Sequence, residues 1–119
     1  MLIRIDTTSD TAIFEQIADN VRSDVAAGRL HAGDRLPPAR QVAGALEVNV
    51  HTVLHAYQNL RDEGLVELRR GRGAVLTDAA HTLTAVHDDI IALAAKAAAA
   101  GLHPETLSAL VKEATRVND

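Results

Sequence analysis

Apolar and polar positions alternate along the first part of the chain in a rhythm that predicts short helices. Four aliphatic residues recur at every fourth position: Ile13, Ile17, Val21 and Val25. This spacing indicates the buried face of a helix over about residues 12–27, with Thr11 as its N-cap and Gly28 at its end. Ahead of that helix, the alternation of Ile3, Arg4 and Ile5 predicts a very short leading strand.

Two shorter helices are predicted next, separated by a tight turn. The second helix opens at Pro37 and Pro38 and ends near Leu46. Its inward positions are Val42, Ala43 and Leu46. Asn49 is a good N-cap for a third helix that reaches about residue 62, and Gly64 supplies its stop.

A small hairpin follows the third helix. Residues 66–69 and 74–77 read as strands around the turn Arg70-Gly71-Arg72-Gly73. Two helices joined by a turn, followed by a basic hairpin, are what a winged helix-turn-helix needs to place a helix in the major groove of DNA and a loop in the minor groove. We therefore predict a mainly α fold with a DNA-binding domain over residues 1–78.

The character of the sequence changes at about residue 79, where an alanine-rich helix is predicted up to residue 100. One stripe of that helix is apolar: Leu83, Val86, Ile90, Leu93 and Ala97. Gly101 breaks it, and Pro104 starts a last helix. The apolar face of the last helix holds Leu107, Leu110, Val111 and Ala114. Two such helices cannot cover their own stripes, so residues 79–119 are predicted to form a homodimerisation element.

Composition narrows the functional classes. The chain has 119 residues, of which 47% are hydrophobic, and it contains no cysteine. Disulfides, thiol catalysis and cysteine-based zinc sites are therefore excluded. There is neither a transmembrane run nor a signal-peptide pattern, so no membrane partner is expected and the cytoplasm is the expected location. The net charge of −4 argues against nucleic acid at first, but phosphates respond to the local field more than to the total charge.

The third helix divides into two faces when its residues are placed at about 100° each. Val53, Tyr57 and Leu60 fall on the core side. The opposite side carries His51, His55 and Gln58, with Thr52 and Asn59 beyond them. A solvated helix face more often carries Glu and Lys, so we predict that His51 and His55 contact base edges, with an ordinary surface face as the alternative.

Other positions suit the DNA backbone. Asn49 and Thr52, at the start of the third helix, are candidate phosphate ligands, and Asn49 also caps the helix. Arg40 is placed to hold a phosphate, and a surface ion pair is its alternative role. Arg35 is a further candidate contact beside the second helix.

The hairpin turn is the second candidate DNA contact. Its predicted DNA-binding residues are Arg69, Arg70, Arg72 and Gly73. Glycine lets a backbone approach the floor of the minor groove, and an arginine follows the negative potential there. The alternative is a solvated charged turn.

These residues resemble the GntR family of bacterial transcription regulators over roughly residues 11–77. The resemblance is carried by Ile13-Phe14-Glu15-Gln16-Ile17, Gly28-Arg29-Leu30, Gly33-Asp34-Arg35-Leu36-Pro37, Arg40, Val48-Asn49, Thr52-Val53, Ala56-Tyr57, Glu63-Gly64-Leu65 and Gly71-Arg72-Gly73. It implies an N-terminal winged helix and a variable C-terminal part that dimerises. The short C-terminal part is similar to the YtrA-type branch, whose members are commonly repressors.

The chain departs from the family pattern at four positions. Pro38 stands where a capping serine is usual, Val50 and Leu54 stand where arginine or another polar residue is common, and His55 stands where arginine is frequent. The base contacts usual in the family therefore do not carry over at positions 50 and 54, and no operator sequence is implied.

The leading functional hypothesis is a homodimeric, sequence-specific repressor that binds a pseudo-palindromic operator in double-stranded DNA. The alternative is a winged-helix interaction module that has lost DNA binding. Neither a catalytic triad nor a phosphate loop is present, so we expect neither enzymatic activity nor a cofactor. His81, His87 and His103 could bind metal only if a dimer assembled them, and solvated histidines are expected instead. Any small-molecule effector stays unknown.

Overall fold

The structure, a computed structural model, describes residues 1–117. It has five helices and one two-stranded sheet in the described range: α1 (Ile13–Ala26), α2 (Ala39–Leu46), α3 (Val50–Asp62), β1 (Val66–Arg69), β2 (Gly73–Leu76), α4 (Ala80–Ala99) and α5 (Pro104–Val117). This order confirms the predicted mainly α architecture. The backbone forms two compact units, Met1–Val86 and a second that starts at His87, so the division falls inside α4.

The core of the first unit is aliphatic, as the sparse aromatic content requires. Ile17, Val21 and Val25 of α1 are fully buried in the same cluster as Val53 and Leu60 of α3. This burial confirms the stripe predicted for α1, in which Ile13 is half-buried against the same core, and the core side predicted for α3. The core therefore fixes which face of α3 turns outward.

The hairpin is antiparallel and pairs Val66 with Leu76 and Arg69 with Gly73. A third segment, residues 33–36, lies along the outer side of β2. Gly33 N–H donates to Leu76 O at 2.8 Å, Leu76 N–H donates to Asp34 O at 2.9 Å, and Leu36 N–H donates to Ala74 O at 2.8 Å. These bonds tie the hairpin to the chain immediately before α2.

The predicted leading strand is wrong, because no strand forms within residues 1–12. The Asn20 side chain satisfies the backbone there instead. Its Oδ1 accepts from Arg4 N–H at 3.2 Å, and its Nδ2 donates to Arg4 O at 2.7 Å. Ile3 is buried in the core without a partner strand.

The predicted N-cap of α1 is also wrong. Ala12 occupies the cap position, and no side chain forms a cap hydrogen bond. Thr11 lies one residue too early, and its carbonyl accepts from Gln16 Nε2 at 2.8 Å. Gln16 Oε1 in turn accepts from Asp6 N–H at 2.7 Å, so one glutamine orders the entry to the helix.

The turn between α2 and α3 combines a strained residue with a good cap. Glu47 adopts the left-handed backbone conformation at φ 57°, which residues other than glycine rarely adopt. Two residues later, Asn49 Oδ1 accepts from His51 N–H at 2.8 Å, which confirms Asn49 as the N-cap of α3.

The second unit contains the rest of α4 and all of α5, joined at Gly101 with φ 78°. Many of its large aliphatic side chains are exposed: Ile90, Ile91, Leu93, Leu102, Leu110, Val111 and Val117. None of the helices between residues 1 and 117 is long and apolar enough to cross a bilayer.

Candidate nucleic-acid interface

The outward face of α3 is open and free of acids along its first two turns. His51, His55 and Gln58 are exposed, and Thr52 is half-buried. Asp62, the acid on this helix, stands at its C-terminal end. Hydrogen-bonding side chains suit contact with base edges, and the absence of carboxylates limits repulsion from the phosphates.

His55 has a neighbour that the helical pattern did not reveal. Its imidazole stacks on the ring of Phe14 in α1, with ring centroids 3.9 Å apart and planes 21° apart. His55 stays exposed, so it lies at the α1 side of the outward face with its ring plane held by Phe14. Nothing in the sequence indicated this pair, because the contact joins residues far apart in the chain.

The start of α3 presents a half-occupied cap. Asn49 uses its carboxamide oxygen to accept from His51 N–H, and its own carbonyl accepts from Thr52 N–H at 3.0 Å. The Asn49 amide nitrogen donates to no residue in the described range. It therefore keeps a donor for an anion at the positive end of the helix dipole.

The structure distinguishes among the arginines predicted to contact DNA. Arg69 forms an ion pair with Glu67 at 2.9 Å, and Arg35 Nε donates to Arg72 O at 2.8 Å. Within residues 1–117, the side chains of Arg40, Arg70 and Arg72 form no ion pair. Arg35 thus supports the hairpin turn, and the latter three keep their charge available.

The turn of the hairpin depends on glycine for its backbone conformation. Gly71 and Gly73 have φ values of 81° and 75°, and Arg72 N–H donates to Arg69 O at 3.1 Å. No atom lies within 4 Å of a Cβ built at either glycine, so the requirement comes from φ and not from space. We call residues 69–73 the basic wing.

An apolar cleft of about 370 Å³ separates α3 from the basic wing. Pro37, Pro38 and Tyr57 line it, together with Leu54 of α3 and Leu68 of β1. Leu54 is 38% exposed and Leu68 is 48% exposed. The cleft forms only when the hairpin folds back beside α3, so no local pattern in the sequence indicates it. We call it the wing cleft.

Tyr57 anchors the floor of the wing cleft. It is 4% exposed, and its hydroxyl donates to Pro37 O at 2.6 Å. Burial raises the pKa of Tyr57 to about 12. The phenol therefore fixes the start of α2 against α3.

Metal binding gains no support from the described residues. No group of three or more His, Asp or Glu side chains within residues 1–117 could hold a metal ion. His81, His87 and His103 are therefore not assembled into a site within one chain.

The chain is similar to known regulators. The profile of "Bacterial regulatory proteins, gntR family" matches residues 13–76. The "HTH-type transcriptional repressor YtrA" of Bacillus subtilis is 34% identical over 94% of this chain and 91% of its own length.

Solved structures agree with this match. YtrA from Sulfolobus acidocaldarius, a GntR-family transcription factor, is 36% identical over 77% of this chain and 99% of that chain, with a TM-score of 0.61. A GntR family transcriptional regulator from Listeria monocytogenes is 27% identical over 92% of this chain and 98% of that chain, with a TM-score of 0.62. These relatives are regulators of transcription and not enzymes. The chain is a member of the gntR family of bacterial regulatory proteins.

Proposed function

We propose that this regulator is a homodimeric repressor that binds a pseudo-palindromic operator in double-stranded DNA. The observation that carries the proposal is the open outward face of α3, which is free of acids along its first two turns. Beside it lies the basic wing, in which Arg70 and Arg72 form no ion pair within residues 1–117. The Bacillus subtilis relative is named as a repressor, which supports repression as the direction of control. A DNA target also keeps the cytoplasm as the expected location.

In this proposal the outward face of α3 lies in the major groove. His51 lies near the middle of that face and contacts a base edge. His55 lies at its border, where the Phe14 ring holds the imidazole plane for a second base contact. The imidazole rings and the Gln58 amide carry groups that form hydrogen bonds with the base edges of the major groove.

Arginines and the cap of α3 contact the backbone and the minor groove. Arg72 enters the minor groove from the tip of the basic wing, flanked by two glycines in left-handed conformations. Arg40 and Arg70 bind phosphates, as do Asn49 and Thr52 at the start of α3. Arg35 and Arg69 already have partners in the protein. They therefore contribute to the interface mainly by holding the basic wing in shape.

The homodimer rests on the apolar surface of the second unit. Leu110 is 57% exposed and Ile90 is 54% exposed, and α5 has no buried residue. Covering this surface with a second copy removes apolar area from water, at about 25 cal/mol for each Å². Dimerisation then presents two recognition helices to half-sites about 34–36 Å apart.

The proposal is tested by measuring affinity for fragments from the chromosomal locus of the protein at several salt concentrations. One fragment is expected to bind much more tightly than random duplex. Arg72→Ala is expected to lower that affinity about tenfold, while Arg116→Ala, a matched change on α5, leaves it unchanged. Equal affinity for every sequence would refute a specific regulator.

An interaction module without DNA binding is the second candidate. The net charge of −4 and the exposed Leu54 and Leu68 favour it. The double variant His55→Ala/Arg72→Ala separates the two in cells. Unchanged regulation of the target genes in the double variant would support the interaction module. Loss of regulation would support DNA binding.

A further inference from the structure

We infer that Leu54 reads the methyl group of a thymine in the operator, which gives the protein an apolar specificity contact. The inference rests on the proposed function, since it presumes that α3 lies in the major groove. It concerns one side chain that neither the core nor the predicted polar contacts account for.

Leu54 is apolar, and its position gives it an exposed edge. At about 100° per residue it lies between buried Tyr57 and exposed Gln58 on the helix surface. It is 38% exposed, whereas the core residues Val53 and Leu60 of the same helix are fully buried. Its exposed part therefore borders the outward face of α3 and is not needed to close the core.

The surroundings of Leu54 are apolar on one side and basic at the rim. Pro37, Pro38 and Leu68 share the wing cleft with it, and Arg72 belongs to the same lining. The nearby acid Glu67 is paired with Arg69. Arg72 forms no ion pair within residues 1–117, so the rim keeps a positive charge that suits a polyanion. This argues for DNA over an apolar protein segment as the occupant.

Only one base edge in the major groove matches such a side chain. Adenine, guanine and cytosine present donors and acceptors there, whereas thymine adds the C5-methyl group. A leucine cannot pair with donors or acceptors, and leaving them unpaired at the interface costs free energy. A thymine opposite Leu54 places its methyl group, beside O4, against the leucine and buries two apolar groups together.

The test compares thymine with deoxyuridine, which differs only by the missing methyl group. The operator is first obtained by selection from random duplexes, and each thymine is then replaced singly. For the unaltered protein, replacing one particular thymine in each half-site is expected to lower the affinity for the operator about fourfold. This loss corresponds to one buried methyl group. In Leu54→Ala this loss is expected to disappear.

Two controls keep the result specific. Leu54→Met retains an apolar side chain and is expected to keep the sensitivity to deoxyuridine, as is Gln58→Ala, which changes a neighbouring polar contact. Circular dichroism checks that each variant is folded. Because Leu54 is partly exposed, these substitutions leave the core intact.

The outcomes separate this inference from the function on which it rests. Sequence-specific binding with no thymine sensitive to replacement overturns the methyl contact and leaves the regulator intact. Equal sensitivity in Leu54→Ala and the unaltered protein also overturns it. If no duplex is selected over random DNA, both the inference and the proposed function fail.

Discussion

At the scale of single residues, Tyr57 links the stability of the fold to the geometry of the proposed interface. Its hydroxyl donates to Pro37 O at 2.6 Å from a nearly buried position. Tyr57→Phe removes that donor and leaves the carbonyl unsatisfied. We expect the free energy of unfolding to fall by about 1–2 kcal/mol, measured by urea unfolding. A variant as stable as the parent would show that the bond contributes nothing.

The same residue predicts a dependence on alkaline pH. Burial raises the pKa of Tyr57 to about 12, above the value of about 10 expected for the unfolded chain. The folded state therefore holds this proton more tightly than the unfolded state. The contribution to stability is full below pH about 10 and is lost as pH rises toward about 12.

This titration is unusually accessible because the chain has one tyrosine and no tryptophan. The ultraviolet absorbance of the phenolate reports Tyr57 alone, first in the native protein and then in urea. We expect the midpoint to be higher in the native protein. In Tyr57→Phe, the loss of stability between about pH 10 and pH 12 that comes from this tyrosine is expected to be absent. A titration midpoint near 10 in the native protein would contradict the burial of the phenol.

Phe14 gives a prediction for the orientation of His55. Their rings are stacked at 3.9 Å, and such pairs contribute about 0.5–1.5 kcal/mol. Phe14→Leu keeps an apolar side chain but removes the stacking. We expect affinity for the selected operator to fall about two- to tenfold while affinity for random duplex stays the same.

A structural role alone would give a different pattern. If Phe14→Leu only loosened the core, thermal stability would fall and both affinities would follow the folded fraction. His55→Ala is the matched comparison, and adding Phe14→Leu to it is expected to cause no further loss of specific affinity. A further loss of the same size would contradict the positioning role.

At the scale of elements, the periodicity of the sequence predicted helix faces and caps, which depend on neighbouring residues. It missed the contacts between residues far apart in the chain. The stripe of α1 and the Asn49 cap follow from neighbouring residues, and both are confirmed. The leading strand failed because its backbone is bonded by the side chain of Asn20, sixteen residues away. Strand alternation predicts a pattern of exposure, and it does not say which group satisfies the backbone.

The candidate site divides in the same way. The outward positions of His51 and Gln58 followed from the helical wheel, because the core side of α3 was unmistakable. The Phe14 stack, the bond from Arg35 to the wing and the wing cleft did not follow from the sequence. Each joins elements that become neighbours only after the core has formed, so no local pattern carries them.

The turn between α2 and α3 allows an element-scale prediction. Glu47 is held at φ 57°. This left-handed conformation costs a residue with a Cβ atom about 1–2 kcal/mol. Glu47→Gly relieves that strain but frees the unfolded chain, so we expect a net gain of about 0.5–1 kcal/mol. The denaturant midpoint should rise with an unchanged slope.

Charge removal is the competing explanation for any such gain. Glu47→Ala removes the same carboxylate but keeps a Cβ in the left-handed conformation. We therefore expect little or no increase in its midpoint. An equal rise in both variants would assign the effect to charge and would contradict backbone strain at this turn.

At the scale of the whole molecule, the second unit decides whether two reading surfaces act together. Leu107, Leu110 and Val111 of α5 line an apolar groove of about 370 Å³ with residues of α4. Leu110→Asp places a charge in a surface that we propose is covered by a second copy. We expect a monomer in sedimentation experiments and at least a hundredfold loss of operator affinity, since only one half-site is then engaged.

A matched substitution on the same helix separates dimerisation from damage to α5. Ala109 is exposed and lies opposite the apolar face at about 100° per residue. Ala109→Asp adds the same charge one residue away on α5 but outside the apolar face. This variant is therefore expected to stay dimeric and to bind the operator normally. Single half-site affinity should be equal in both variants, because neither changes the first unit. If Leu110→Asp remains dimeric, the two copies meet elsewhere; if it is monomeric yet binds the full operator as tightly as the parent, the two half-sites are not read by one dimer.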